Sequence, residues 1–247
     1  MSLNMETVAV DANATVDSTP VVTQSSNDWS RVSPTTGHSQ TFTNRWFENN
    51  EKLWKVFFNE TTLKLSAKEE PGAKKLRVLE IGCFEGRSTT WFLENLPENT
   101  EVHVIDTFKG SIEHSSETIG NLEDRFDTNM RPWLDQGRLR KHKGNSFDVL
   151  TTLLYQGVEK FDIIYIDGDH SQVGVISDAV LTWNLLKANG LLLFDDYVWE
   201  MNISEPRIGS QPLLGQMPFN AINFFIQAYW PYIDVLYMGS QCFLRRK

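Results

Sequence analysis

Two short acidic runs in this 247-residue chain are spaced so that they could do chemistry. Ile166-Asp167-Gly168-Asp169-His170 and Phe194-Asp195-Asp196-Tyr197 each end an apolar stretch in carboxylates. Like charges packed together are costly unless a cation neutralises them. Carboxylate oxygens with open positions suit Mg²⁺ or another hard divalent ion. If the two stretches are neighbouring strands, Asp167, Asp195 and Asp196 converge as metal ligands. Otherwise they sit in solvated loops. His170 lies three residues after Asp167. An imidazole, with an ordinary pKa of about 6.5, suits proton abstraction at neutral pH. Asp169 can instead cap the helix that follows Ser171.

A second constellation is the run Val78-Leu79-Glu80-Ile81-Gly82-Cys83-Phe84-Glu85-Gly86-Arg87-Ser88, which reads as strand, turn and helix start. Gly82 lets the backbone turn tightly and lets a ligand approach. Gly86 allows the helix near the strand, and Ser88 is a candidate cap. A dinucleotide fingerprint wants glycine where Phe84 stands, so that a pyrophosphate can reach the helix N-terminus. Phe84 crowds that space and argues against a nicotinamide-dependent oxidoreductase, the main rival reading. Glu80 points the same way, because a carboxylate there repels phosphate and attracts an ammonium group. Asp106 ends the next strand twenty residues after Gly86, where an acid can accept ribose hydroxyl bonds. Gly144-Asn145-Ser146 follows a third strand and can reach a base edge, or simply cap a helix. A ligand with an amino-acid moiety and a nucleoside, but no phosphates, fits this set.

These residues need a frame that brings strand ends together. Apolar strands are expected over 76–81, 101–105, 139–143, 161–166 and 191–194, with helices over 88–96, 146–155, 173–183 and 219–229. Such alternation predicts an open, mostly parallel α/β sheet with helices on both faces. Residues 233–237 and 241–245 close it as an antiparallel hairpin. Ligands in such sheets sit outside the carboxyl ends of the strands. Upstream, Phe42, Trp46, Phe47, Leu53, Trp54, Phe57 and Phe58 recur at helical spacing and predict a covering helix. The expected organisation is a weakly ordered tail over 1–40 and one domain over 41–247, divided into a helical cover (41–72) and a Rossmann-like core (73–247). Along Val173, Ile176, Val180 and Trp183 the spacing predicts the inner face of one helix. The connections Phe108–Arg138 and Val198–Met217, with Trp133, Tyr197 and Trp199, are expected to build an acceptor pocket.

The formal net charge of −9, without a basic cluster, disfavours a nucleic-acid partner. No apolar run approaches the roughly 20 residues that span a bilayer, so no membrane partner is expected. The first basic residue is Arg31, no signal or transit pattern is read, and two cysteines imply no disulfide framework. A cytoplasmic setting is the expectation.

The ordered set LEIGCFEGRST, VIDTF, GNSF, IDGDHS and LLLFDDY resembles class I S-adenosylmethionine-dependent methyltransferases. It resembles most the metal-dependent small-molecule O-methyltransferases of catechol, macrolide and sugar type, over roughly 74–247. The resemblance implies a Rossmann-like fold, S-adenosylmethionine as methyl donor, a divalent cation, a small-molecule hydroxyl acceptor, and compatibility with a homo-oligomer. The cofactor set becomes Glu80, Gly82, Phe84, Gly86, Ser88, Asp106, Thr107, Asn145, Ser146 and Asp167. It also implies that Asp167 and the Asp195-Asp196 pair hold the ion. At the base position, catechol-type relatives carry Lys and some macrolide-type relatives carry His, which favours His170. Sugar-modifying relatives point to Asp169 as the rival base. A methyltransferase-like protein that binds the donor without methylating is a further alternative.

Overall fold

The computed structural model describes residues 29–66, 75–110, 119–198 and 218–247. Among them the strands are β1 (Trp29–Val32), β2 (Ser39–Phe42), β3 (Arg77–Ile81), β4 (Glu101–Asp106), β5 (Leu139–Lys143), β6 (Phe161–Ile166), β7 (Leu186–Phe194), β8 (Ile233–Met238) and β9 (Cys242–Arg246). The helices are α1 (Glu48–Ser66), α2 (Arg87–Asn95), α3 (Leu122–Asp135), α4 (Ser146–Tyr155), α5 (Gln172–Leu185) and α6 (Pro218–Tyr229).

One seven-stranded sheet has the order β5-β4-β3-β6-β7-β9-β8. Its first five strands run parallel, and β9 joins β7 and β8 antiparallel. All five residues of β3 are buried, as expected for an apolar strand covered on both faces. Val78, Val104, Tyr165 and Leu193 face α1, α2 and α3, where Trp54, Phe92, Phe126 and Trp133 fill one layer. Leu79, Ile105, Ile166 and Phe194 face α4, α5 and α6, where Leu150, Ala179 and Phe225 fill the other. The chain passes from β3 to β4 on one side and reaches β6 on the other. A crevice therefore opens between the ends of β3 and β6, the usual ligand position in such sheets. No helix among the described residues is long and apolar enough to cross a membrane.

Four expectations are corrected. The segment assigned to the tail already holds structure at 29–40: β1 and β2 form a hairpin in which Phe42 is a buried strand residue rather than the start of a helix. Its Gln40 amide donates to Thr90 Oγ1 at 2.9 Å, and Arg31 pairs with Glu94 at 2.7 Å, so α2 holds the hairpin. Residues 1–28 lie outside the described residues. The connection 108–138 contains α3, and its Trp133 is a fully buried core residue, not a pocket wall. The inner face of α5 is Val175, Asp178, Ala179, Thr182 and Trp183, whereas Val173 is 75% and Val180 39% exposed. Apolar residues lie on more than one side of this helix, so periodicity alone chose the wrong one. Finally, β7 starts at Leu186, because the bulge at Phe161/Ile163 lets it pair earlier than Leu191. Trp199 and most of 198–217 lie outside the described residues.

Candidate active site

A cavity of about 1020 Å³ opens at the carboxyl ends of the parallel strands. Gly82, Phe84, Ser88, Asp106, Thr107, Asn145, Ser146 and Asp167 line it, and so do Asp169, His170, Asp195 and Asp196. The structure thus gathers nearly every residue singled out by sequence around one space. Glu80 and Gly86 are the exceptions.

Gly82 has φ +80°, and a Cβ there would lie 1.8 Å from the Asp167 carbonyl oxygen. Only glycine lets the ends of β3 and β6 approach this closely. Gly86, with φ +87°, is itself the cap of α2, and its near neighbour is the Met130 side chain of α3 rather than a strand. Ser88 therefore does not cap α2. Its hydroxyl and that of Thr89, at 2.6 Å, donate to the two oxygens of Glu80. Glu80 is wholly buried beneath the turn, and burial pushes its pKa up to about 7 despite those two donors. It braces α2 against β3 instead of facing the cavity. Asp106 accepts from the Cys83 and Phe84 amides, both at 2.9 Å, and from the Phe108 amide at 2.7 Å. The carboxylate freezes the turn while its side chain still borders the cavity. Asn145 caps α4 by accepting from the Phe147 amide at 2.9 Å, leaving Ser146 as the first helical residue.

The acidic cluster is arranged differently from the spacing argument. Ligand atoms of Asp167, His170 and Asp196 lie within 4.8 Å of one another. His170 Nε2 is 3.0 Å from Asp196 Oδ2 and 3.7 Å from Asp167 Oδ1. Asp196 reaches this point from a left-handed backbone, φ 54°. Asp195, by contrast, accepts from the Tyr165 hydroxyl and from Asn50 Nδ2 at 3.2 Å. The Tyr165 hydroxyl oxygen also lies 3.2 Å from Asp167 Oδ2, so its single proton stands between the two carboxylates. Burial, and then the neighbouring Asp195 carboxylate, hold the Asp167 pKa well above the usual carboxylate range. Burial and Asp196 raise that of Asp195, while Tyr165 and Gln241 pull it back. Among the described residues no Lys or Arg pairs with these three acids. Two carboxylates and an imidazole converging on one point are a donor set that fits a hard divalent ion. Asp169 is turned elsewhere: it accepts from the Ser171 amide at 2.8 Å and from its hydroxyl at 2.9 Å, bracing the cap of α5.

For the remaining wall, sequence reasoning read the aromatic stripe with Trp46 and Phe47 as a core cover that could also roof a pocket, and it missed the asparagines beside it. Asn44, Trp46, Phe47, Asn49 and Asn50, at and before the start of α1, close the cavity opposite the sheet. Trp46 packs on Phe84 with ring centroids 5.3 Å apart. The aromatic spacing of α1 signalled packing, but only the long-range contact of Asn50 with Asp195 shows that this helix reaches the acids.

Residues 79–197 match the family model described as a methyltransferase domain. That stretch, just under half of the chain, is similar to a methyltransferase domain. It holds the glycine turn, Asp106, the 167–170 loop and the Asp195-Asp196 pair. The O-methyltransferase hkm8 of Aspergillus hancockii is 30% identical over 120 residues, 49% of this chain and 42% of that relative. The chain matches only about half the length of its relatives in sequence. The O-methyltransferase TomG of Streptomyces achromogenes, solved with SAM, superposes with a TM-score of 0.55 at 15% identity, covering 81% of this chain and 80% of that one. The mycinamycin-pathway methyltransferase MycE, solved with Mg and SAH, gives a TM-score of 0.50 at 15% identity, covering 79% of this chain and 48% of that one. At this identity both show a shared fold with this chain.

Proposed function

We propose that this protein transfers a methyl group from S-adenosylmethionine to a hydroxyl oxygen of a small molecule, with a divalent cation at Asp167 and Asp196. The observation that carries this reading is one cavity joining the Gly82 turn and Asp106 at one end to the Asp167–His170–Asp196 cluster at the other. The amino-acid part of the donor fits the Gly82 approach, and the ribose fits Asp106. SAM and SAH bound in TomG and MycE, and Mg in MycE, support the same assignment.

Transfer breaks the sulfonium carbon–sulfur bond and forms a carbon–oxygen bond in line, so the protein's main task is alignment. The Gly82 turn fixes the donor, and the wall of Phe47, Trp46 and Asn50 confines the acceptor against the acids. Aromatic side chains in that wall favour an acceptor with a flat or apolar body. When bound, a cation lowers the acceptor hydroxyl's pKa and fixes its direction. His170, facing the same point, takes the hydroxyl proton on a ring nitrogen. A second reading, His170 as a third metal ligand, is favoured by its distance to both carboxylates.

Two results test this. Asp106→Ala should weaken S-adenosylhomocysteine binding by roughly 1.5–3 kcal/mol for each charged hydrogen bond lost. Equal affinities of wild type and variant by calorimetry would remove Asp106 from the site. EDTA should abolish methyl transfer, and Mg²⁺ or Mn²⁺ should restore it. Metal should also stabilise the fold. Asp167 and Asp195 have folded pKa values above their unfolded ones. Their contribution is therefore present in acid and lost as pH rises through the folded values. A cation replaces the missing protons, so Mg²⁺ should raise the melting midpoint near neutral pH and barely in acid. At a hundredfold excess over Kd the gain is about 2.7 kcal/mol. Midpoints unmoved by metal, with a chelated protein at full rate, would defeat the cation while leaving methyl transfer intact.

A further inference from the structure

The acids that end β6 and β7 do not stand alike in the site, and one buried phenol separates them. Side chains alternate across a strand, and Tyr165 pairs in register with Leu193. Tyr165 and Asp167 therefore leave β6 on the same face as Leu193 and Asp195 leave β7. The Asp195 amide still donates to the Ile166 carbonyl at 3.0 Å, which continues the ladder and keeps its side chain on the face that α1 covers. Three groups hold the carboxylate there. Its Oδ2 accepts from the Tyr165 hydroxyl and its Oδ1 from the Asp196 amide at 2.8 Å. Asn50 Nδ2 lies 3.2 Å from Oδ2 and 3.4 Å from Oδ1. A carboxylate has about four lone-pair sites, so these donors occupy most of them. Tyr165 is fully buried, with its ring edge-on to Trp54 at 4.9 Å between centroids. Trp54 is fixed in turn by its 2.8 Å bond to Gln241. Asp167 and Asp196 differ from Asp195: each turns an oxygen to the point that His170 shares.

We propose that Tyr165 is a positioning residue that withholds Asp195 from the cation, leaving Asp167 and Asp196 as the carboxylate ligands. This rests on the cation reading given above. Charge gives the arrangement its purpose. Two carboxylates balance a divalent ion, whereas a third makes the site net negative. Ligand charge count sets how tightly a hard ion is held. An over-neutralised ion also polarises a bound hydroxyl less. A withheld carboxylate leaves a coordination position for the acceptor oxygen as well. The phenol thus keeps the ion exchangeable and strongly polarising without touching it.

The test titrates Mn²⁺ into the full chain without methyl donor and reads the free ion by electron paramagnetic resonance. Tyr165→Phe keeps the ring and removes the hydroxyl. It frees Asp195 and should tighten Mn²⁺ binding by roughly tenfold, the scale set by a buried carboxylate that has lost a donor and gains the ion. A residue that merely supports a ligand weakens binding when removed. Weaker or unchanged binding in Tyr165→Phe would therefore overturn the proposal. In Tyr165→Phe combined with Asp195→Asn the tightening should vanish, because no carboxylate is left to release, and its persistence would count equally against the idea. Asp195→Asn alone keeps the shape and should change affinity by roughly fivefold or less, the effect of a nearby charge that does not ligate. Asp196→Asn should cost roughly a hundredfold or more, since even the partners of a ligand are worth ten- to hundredfold. Equal losses in these two variants would make Asp195 a ligand and sink the proposal, even if Tyr165→Phe does not fold. A wild type that binds no Mn²⁺ would remove the cation reading and this inference together, whereas wild-type binding with either contrary variant result removes the inference alone.

Discussion

Gly82→Ala should yield a protein that is both destabilised and unable to bind the methyl donor. The new Cβ would stand 1.8 Å from the Asp167 carbonyl oxygen, 2.5 Å from its carbonyl carbon and 2.7 Å from the Gly168 Cα. All three are backbone atoms, so no side-chain rotation relieves the clash. The backbone at this position, φ +80°, is also one that side chains resist. The left-handed penalty of about 1–2 kcal/mol adds to an overpacking cost of about 1–3 kcal/mol. The Asp167 amide donates to the Ile81 carbonyl at 2.8 Å, so parting β3 from β6 breaks a bond at the floor of the site. A displacement of about 1 Å at a reacting centre costs on the order of a hundredfold. Urea midpoints and calorimetry with S-adenosylhomocysteine should therefore move together. A variant with wild-type values in both would contradict the close approach seen here.

His170→Ala should lower turnover by roughly 10²–10⁴-fold, the range for losing a general base. The donor site is untouched, so S-adenosylhomocysteine affinity should stay as in wild type. Metal affinity separates the two roles of this imidazole. A base leaves it nearly unchanged, whereas a ligand takes it away with turnover. The rate of wild type should fall as pH drops through the imidazole pKa, since only the neutral ring accepts a proton. Asp169→Asn should have a small effect on rate, because the structure gives that carboxylate to Ser171. A severe loss there with a mild one in His170→Ala would transfer the base to Asp169.

The sequence alone determined the strand–turn–helix run from Val78 to Ser88, the acid at the end of β4, and the carboxylates that end β6 and β7. These are local facts. Apolar runs of five or six residues, broken by Gly or Asp, describe parallel strands and their ends without reference to anything distant. The tertiary structure decided what those residues face. Asn50 reaches Asp195 across 145 residues, and Trp54 Nε1 donates to Gln241 across 187, so the roof and the floor of the site come from opposite ends of the chain. Asp195 and Asp196 are adjacent in sequence, yet the first turns to Tyr165 and the second to His170, because Asp196 adopts a left-handed backbone. Glu80 and Tyr165 carry no local mark of their positions. Burial gave one its hydroxyl partners beneath the turn and set the phenol of the other against two carboxylates, and burial is a property of packing, which residue spacing does not encode.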